Sequence, residues 1–150
     1  MLVDGSADTA PAGEQVSVQA VADESPGYAV EAYQYPQAEK VLEEQGVILK
    51  RGDGHITLAD CAAGGDLLEI YSMEAPLKVC FKVTGASGWL TMEIPSVFGV
   101  KTSAHETELG MTLGEEHKTY DLPANSWRGV GQAADEYGRS HMLVEIRTSK

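Results

Sequence analysis

The chain has 150 residues, 43% hydrophobic but only 7% aromatic, which fits one domain, or one domain with a tail, and is too short for two ordinary domains. Against 11 lysines and arginines stand 23 acids, a formal charge of −12 that repels phosphate backbones and anionic lipid heads and so excludes nucleic acid and membrane surfaces as partners. No apolar run reaches the roughly 18 residues that a membrane-spanning helix needs.

The charge is unevenly spread. Residues 1–39 contain Asp4, Asp8, Glu14, Asp23, Glu24, Glu31 and Glu39, seven acids with no Lys, Arg or His among them. The first base is Lys40, and residues 40–150 carry the remaining 16 acids with all 11 bases. Small polar residues dominate Asp4 to Gly13 and bury too little surface to offset the entropy of being ordered. Residues 1–35 are therefore expected to be an acidic, disordered N-terminal tail, followed by a domain over 36–150. Within the tail, Gln15 to Ala22 alternates, so that Val16, Val18, Ala20 and Ala22 share one side of an extended chain and the segment can act as a strand. Tyr28, Tyr33 and Tyr35 follow. Their rings are apolar along the body and polar at the tip, suited either to a partner surface or to sealing one end of the core.

Pro36 to Gln45 reads as one short helix, with Pro36 in the first turn, Glu39 early, Ala38, Val41 and Leu42 on one face, and Gly46 closing the end. After Gly46 the period becomes two. Val47–Arg51 and His55–Asp60 flank Gly52-Asp53-Gly54 as a hairpin. Asp66–Ser72 alternates, and Leu77–Val83 places Leu77, Val79, Phe81 and Val83 inward. A turn at 84–88 makes a second hairpin with Trp89–Ile94, which Pro95 ends. Thr107–Leu113 and His117–Leu122 surround Gly114-Glu115-Glu116 as a third. His141–Arg147 closes the series with Met142, Val144 and Ile146 inward. So many short strands predict a mainly β fold, an antiparallel β-sandwich or jelly-roll-like domain, with one short N-terminal helix.

Cys61 and Cys80 stand at the end of one predicted strand and on the outward face of another. A disulfide between neighbouring strands fits that placement, with two reduced thiols as the alternative. A bridge implies an oxidising compartment, and with it the expectation of a secreted protein whose leader stood ahead of Leu2 and has been replaced by Met1.

No chemical motif assembles. His55, His105, His117 and His141 are scattered, without metal-binding spacing, and read as surface or turn residues. His105 to Glu108 reads as a solvated edge strand. Asp53, Asp60 and Asp66 are the candidates for a structural calcium site, although their loops lack the dense oxygen ligands of an EF-hand. Gly85-Ala86-Ser87-Gly88 is a hairpin turn, not a nucleophile elbow. The expectation is a protein without cofactor, metal or catalysis. Trp127 falls in the loop Pro123 to Gly129, where its ring either plugs one end of the sandwich or stacks on a sugar face with Asn125, Arg128 and Tyr137 around it.

Leu49-Lys50-Arg51-Gly52-Asp53-Gly54-His55-Ile56-Thr57-Leu58-Ala59-Asp60-Cys61, with Val79-Cys80-Phe81-Lys82-Val83-Thr84-Gly85 and Gly88-Trp89-Leu90, resembles small secreted proteins of actinobacteria. The resemblance covers roughly Tyr35 to the C-terminus. It implies export and a disulfide and carries no catalytic motif across. In layout alone, a flexible extension ahead of a compact domain, the chain is also similar to the adaptor subunits of the umbrella toxin particles of actinobacteria, and that likeness implies a linking role. The expected function is a secreted, non-enzymatic protein–protein interaction or adaptor module. Its extension, through Val16, Val18, Ala20, Tyr28, Tyr33 and Tyr35, would add a strand to, or fill a groove of, another secreted protein with a basic cleft. The alternative is a carbohydrate or cell-envelope binding module built on Trp127, Asn125, Arg128 and Tyr137.

Overall fold

The change of period after Gly46 marks where the strands begin in the structure, a computed structural model that describes residues 33–150. Two units are distinguished, Met1–Gln34 and Tyr35–Lys150. The tail expected over 1–35, with its segment at 15–22 and Val16, Val18, Ala20 and Tyr28, lies outside the described residues save for its last three.

One α-helix and ten strands follow: α1 (Ala38–Gln45), β1 (Ile48–Gly52), β2 (Ile56–Ala59), β3 (Leu67–Ser72), β4 (Lys78–Val83), β5 (Ser87–Ile94), β6 (Val97–Lys101), β7 (Glu106–Leu113), β8 (Glu116–Leu122), β9 (Trp127–Gly129) and β10 (Met142–Ser149). Two short 3₁₀ turns, Cys61–Ala63 and Gly131–Ala134, complete the described elements. The strands form two antiparallel five-stranded sheets, sheet A in the order β8-β7-β10-β5-β1 and sheet B in the order β9-β6-β3-β4-β2.

The fold is the expected mainly β sandwich with one short helix. Leu90, Met92 and Ile94 of β5, Leu109 and Met111 of β7, and Leu143 and Ile146 of β10 meet Leu68 and Ile70 of β3, Val79 and Phe81 of β4, and Val97 and Val100 of β6 in one buried cluster. Each such side chain contributes roughly 1.5–3 kcal/mol by leaving water. The helix ends where glycine permits it: Gly46 adopts φ 72° and donates its N–H to Leu42 O. Leu42 itself is exposed, and Val41 alone of the expected apolar face packs on the core.

Only the hairpin at Gly114 holds among the three expected. There Glu116 pairs Leu113 across a two-residue connection with Gly114 at φ 61°. The turn at 52–54 joins β1 of sheet A to β2 of sheet B, and the turn at 84–86 carries the chain from β4 of sheet B to β5 of sheet A. Alternation marks a strand but not its neighbour, and in a two-layer fold a short connection can cross between layers as readily as it can turn within one. β3 and β4 do pair directly. Leu77, expected inward, lies in their connection and is exposed.

In β10 the expected inward trio of Met142, Val144 and Ile146 is also corrected. The pairing of β10 with both β5 and β7 shifts between Leu143 and Glu145. That bulge inserts one residue and reverses the phase of the pleat, so Leu143 and Ile146 are fully buried while Met142 and Val144 are not.

Two histidines expected at the surface are interior. His105 is 5% and His141 1% exposed, and each has a single hydrogen bond to a backbone carbonyl, His105 Nε2 with Gly85 O at 2.7 Å and His141 Nδ1 with Arg139 O at 2.8 Å. Thr107 is buried as well, so His105 to Glu108 is not a solvated edge. Two tails of the sheets are closed by Tyr35. Its N–H donates to Lys50 O on β1 (2.9 Å), and its hydroxyl accepts the N–H of Leu58 on β2 (2.7 Å), so one residue bridges the edge strands of both sheets.

Candidate functional site

Cys61 and Cys80 are joined, Cα to Cα 5.3 Å, across 19 positions of sequence. Val79 and Phe81 face the core, so Cys80 faces outward, where it pairs with Ala59 of β2, the residue two positions before Cys61. The bond ties the four-residue edge strand β2 to β4 and shields Cys80, which is 1% exposed.

The same outward face of sheet B holds the most distinctive side chains of the molecule. Registers align Trp127, Lys101, Glu69 and Cys80 in one row across β9, β6, β3 and β4, and Gly129, Gly99, Tyr71 and Lys78 in the next. The Trp127 ring leans from the first row over Gly99 in the second. A Cβ at Gly99 would stand 2.3 Å from Trp127 Cη2 and 2.7 Å from Cζ2, so only glycine leaves room for the indole. On its far side the ring meets Tyr71 edge-on, centroids 4.9 Å apart and planes at 80°, and Tyr71 in turn lies 6.4 Å from the ring of Phe98. Trp127 remains 49% exposed, an aromatic surface seated on the sheet and open to solvent.

Polar contacts fix the brace. Tyr71 Oη donates to Glu69 Oε1 at 2.5 Å, Lys78 Nζ lies 3.3 Å from the same carboxylate, and Lys78 also stands 5.5 Å over the Tyr71 ring. The Tyr71 hydrogen bond and then the Lys78 ammonium hold the Glu69 carboxyl below its ordinary value, and the same bond raises the Tyr71 phenol. Lys78 is raised by Glu69. Lys101 and Lys82, on the same outward face, form no ion pair among the described residues. A concavity of about 460 Å³ borders the face beyond Lys78, lined by Leu58, Asp60, Pro76 and the disulfide.

The segment leading into Trp127 is pinned from below. Buried Thr102 donates its hydroxyl to Pro123 O (2.7 Å) and accepts the N–H of Ser126 (2.9 Å), and Asn125, at φ 53°, donates its N–H to Ser103 O (2.7 Å). Asn tolerates that left-handed backbone better than most residues. The segment expected to be a loop thus contains a three-residue edge strand, β9.

Of the residues grouped with Trp127 in the sequence, none joins it on this face. Arg128 pairs with Val100, on the opposite side of the pleat, and donates Nη1 to Trp127 O. Asn125 shapes the turn. Tyr137 is 74% exposed in the loop before β10, with the Arg139 guanidinium 5.2 Å from its centroid. That loop is organised by Asp135, whose carboxylate accepts from Tyr137 N, Arg139 N, Arg139 Nε and Arg139 Nη2, all at 2.9–3.0 Å. The Arg139 side chain, above all, holds the Asp135 carboxyl far below the usual carboxylate range.

Tyr71, Lys101, Phe98 and Gly99 belong to no motif in the sequence that points to this face. The usable signal was Gly99 inside Val97-Phe98-Gly99-Val100: a glycine in a strand interior marks a bulge or a close approach. Tyr33 is 43% exposed, whereas Tyr35 is committed to the edge closure described above.

The three aspartates considered for calcium each accept backbone N–H groups instead: Asp53 from His55 and Trp89, Asp60 from Ala62, Asp66 from Ala104. Among the described residues no group of three His, Cys, Asp or Glu is placed to hold a metal ion. None of the described helices is long and apolar enough to cross a membrane. No protein-family model matches the chain, and the search of curated proteins also returned no match.

Proposed function

We propose that the chain is a secreted, non-enzymatic interaction or adaptor module, in which the acidic N-terminal segment docks on another secreted protein and the stapled sandwich carries a second contact surface. The observation that carries this reading is the segregation of charge: seven acids and no base in residues 1–39, ahead of a sequence in which acids and bases are mixed. A segment of that kind is steered to a basic cleft, and the alternation at Gln15 to Ala22 suits strand addition, where main-chain hydrogen bonds supply affinity at little sequence cost. The Cys61–Cys80 bond supports work in an oxidising compartment.

The test is hydrogen exchange over residues 1–39 of the full chain, before and after mixing with the proteins secreted by the same host. Protection gained at 15–22 on mixing, with an association rate that falls steeply between low salt and about 1 M, is the expected result. No change on mixing, or a rate indifferent to salt, removes the reading.

A carbohydrate or cell-envelope binding role is the second reading, favoured by one observation: the half-exposed Trp127 ring seated on Gly99 and braced by Tyr71. Trp127→Ala should then abolish glycan retention without lowering the melting temperature by more than a few degrees.

A further inference from the structure

The chemistry around Trp127 narrows what such a face would hold. The geometry points to a short carboxylate-bearing oligosaccharide, of the uronate class, lying across the outward face of sheet B, with one sugar ring on the Trp127 indole and its carboxylate on Lys101. This inference rests on the second reading above and goes beyond it by naming the ligand's charge.

Three observations support it. The indole offers a flat apolar surface whose position is set before any ligand arrives, by Gly99 beneath it and Tyr71 at its side, and apolar ring faces bind by burying matching C–H surface. Lys101 is the direct cross-strand neighbour of Trp127, with no ion pair among the described residues. The one carboxylate of the two rows, Glu69, takes its hydrogen bond from Tyr71 Oη and its ion pair from Lys78 Nζ, both at Oε1, and meets its cross-strand neighbour Lys101 through charge alone, so the Lys101 ammonium has no ion-pair partner among the described residues.

The formal charge of −12 does not contradict this. A long polyphosphate meets the whole molecule, whereas a sugar of two or three residues meets what lies within one Debye length, about 8 Å at physiological salt. Across that face stand Lys101 and, one strand further on, the Glu69 carboxylate, which Lys78 on the next strand neutralises. Such a chain of rings would extend from Trp127 past Tyr71 toward the concavity beside Lys78.

The experiment is titration calorimetry of the full chain with the trisaccharides of galacturonate, glucuronate and mannuronate, each beside its methyl ester, which has the same rings without the charge. At least one free acid is expected to bind about ten-fold more tightly than its ester. Lys101→Gln should erase that difference, and Trp127→Ala should abolish binding of both forms, with melting curves confirming that both variants fold. An ester that binds as well as its acid, still lost in Trp127→Ala, overturns the carboxylate assignment and leaves the glycan reading standing. Failure of every acid and ester to bind, or binding indifferent to Trp127→Ala, overturns both.

Discussion

The two sheets solve the same problem differently. Sheet A is built on three strands of eight residues, β5, β7 and β10, paired along nearly their whole length. Sheet B has no strand longer than six and ends in edge strands of three and four. Long ladders hold themselves. The outward face of sheet A accordingly carries ordinary surface charge, with Lys50 on Glu93 and Arg147 on Glu145, exposed pairs that contribute little. Short ladders need other fastenings, and sheet B has them: a disulfide at one edge, the Thr102 hydroxyl beneath the other, and an indole laid over a glycine. The distinctive chemistry of the outward surface coincides with the sheet that is held by side chains rather than by length.

The largest effect should come from the staple. Replacing both cysteines, Cys61→Ser with Cys80→Ser, is expected to cost about 3 kcal/mol in the chain-entropy account for a loop of this size. Denaturant unfolding measures the loss, and amide exchange locates it. Protection should fall first in β2 and at the β2–β4 pairing, while β5, β7 and β10 keep theirs. If the amides of sheet A lose protection to the same degree, the two sheets open as one unit and the contrast drawn here does not hold.

The contrast also explains which parts of the molecule were legible in the sequence. Strands β3, β4, β5 and β7 were readable because each buries one face, and alternation records that burial directly. Sheet membership was not, because the turns at 52–54 and 84–86 have hairpin composition yet cross between layers. The phase of β10 was hidden by a bulge, which no periodicity reveals. β9 was too short and too exposed to alternate at all. At the candidate site, Trp127 drew notice as one of two tryptophans, but its neighbours come from β3 and β6, some 26 to 56 positions earlier. Proximity in sequence selected Asn125, Arg128 and Tyr137 instead, of which one shapes the turn, one lies on the other side of the pleat and one belongs to a separate loop. The disulfide was legible because Cys80 stood on the outward face of a strong strand, where a buried thiol has no reason to be.

A smaller effect is expected from the loop that feeds β10 into sheet A. The Asp135 carboxyl is depressed by Arg139 and by the Arg139 and Tyr137 amides, so its ionised form favours the folded state. Such a group contributes its full share above the unfolded carboxylate value, about 3.9, and loses it as pH falls through the lower folded value. Asp135→Asn, neutral throughout, should therefore melt below the parent chain at pH 7, by a gap that stays level above about pH 5 and narrows below about pH 4. Thermal melts across that range provide the check. A gap that ignores pH would mean that the loop is ordered by its backbone alone.

The smallest stability effect, and the sharpest for function, should come from a methyl group. In sheet A the strand glycine Gly110 has ordinary clearance, since a Cβ there would meet Glu145 Cβ at 3.4 Å. In sheet B the same change at Gly99 drives a Cβ to within 2.3 Å of the indole. What it strikes is the outer end of a half-exposed side chain rather than backbone, so Gly99→Ala should cost less than about 1 kcal/mol because Trp127 can swing away. Tryptophan emission reads the difference: Gly99→Ala should shift it to longer wavelength and increase quenching by acrylamide, while Gly110→Ala leaves both unchanged. An unchanged spectrum in Gly99→Ala would mean that the indole does not rest on the sheet in solution. The platform, and the ligand assigned to it, would then lose the one feature that distinguishes a seated ring from an exposed one.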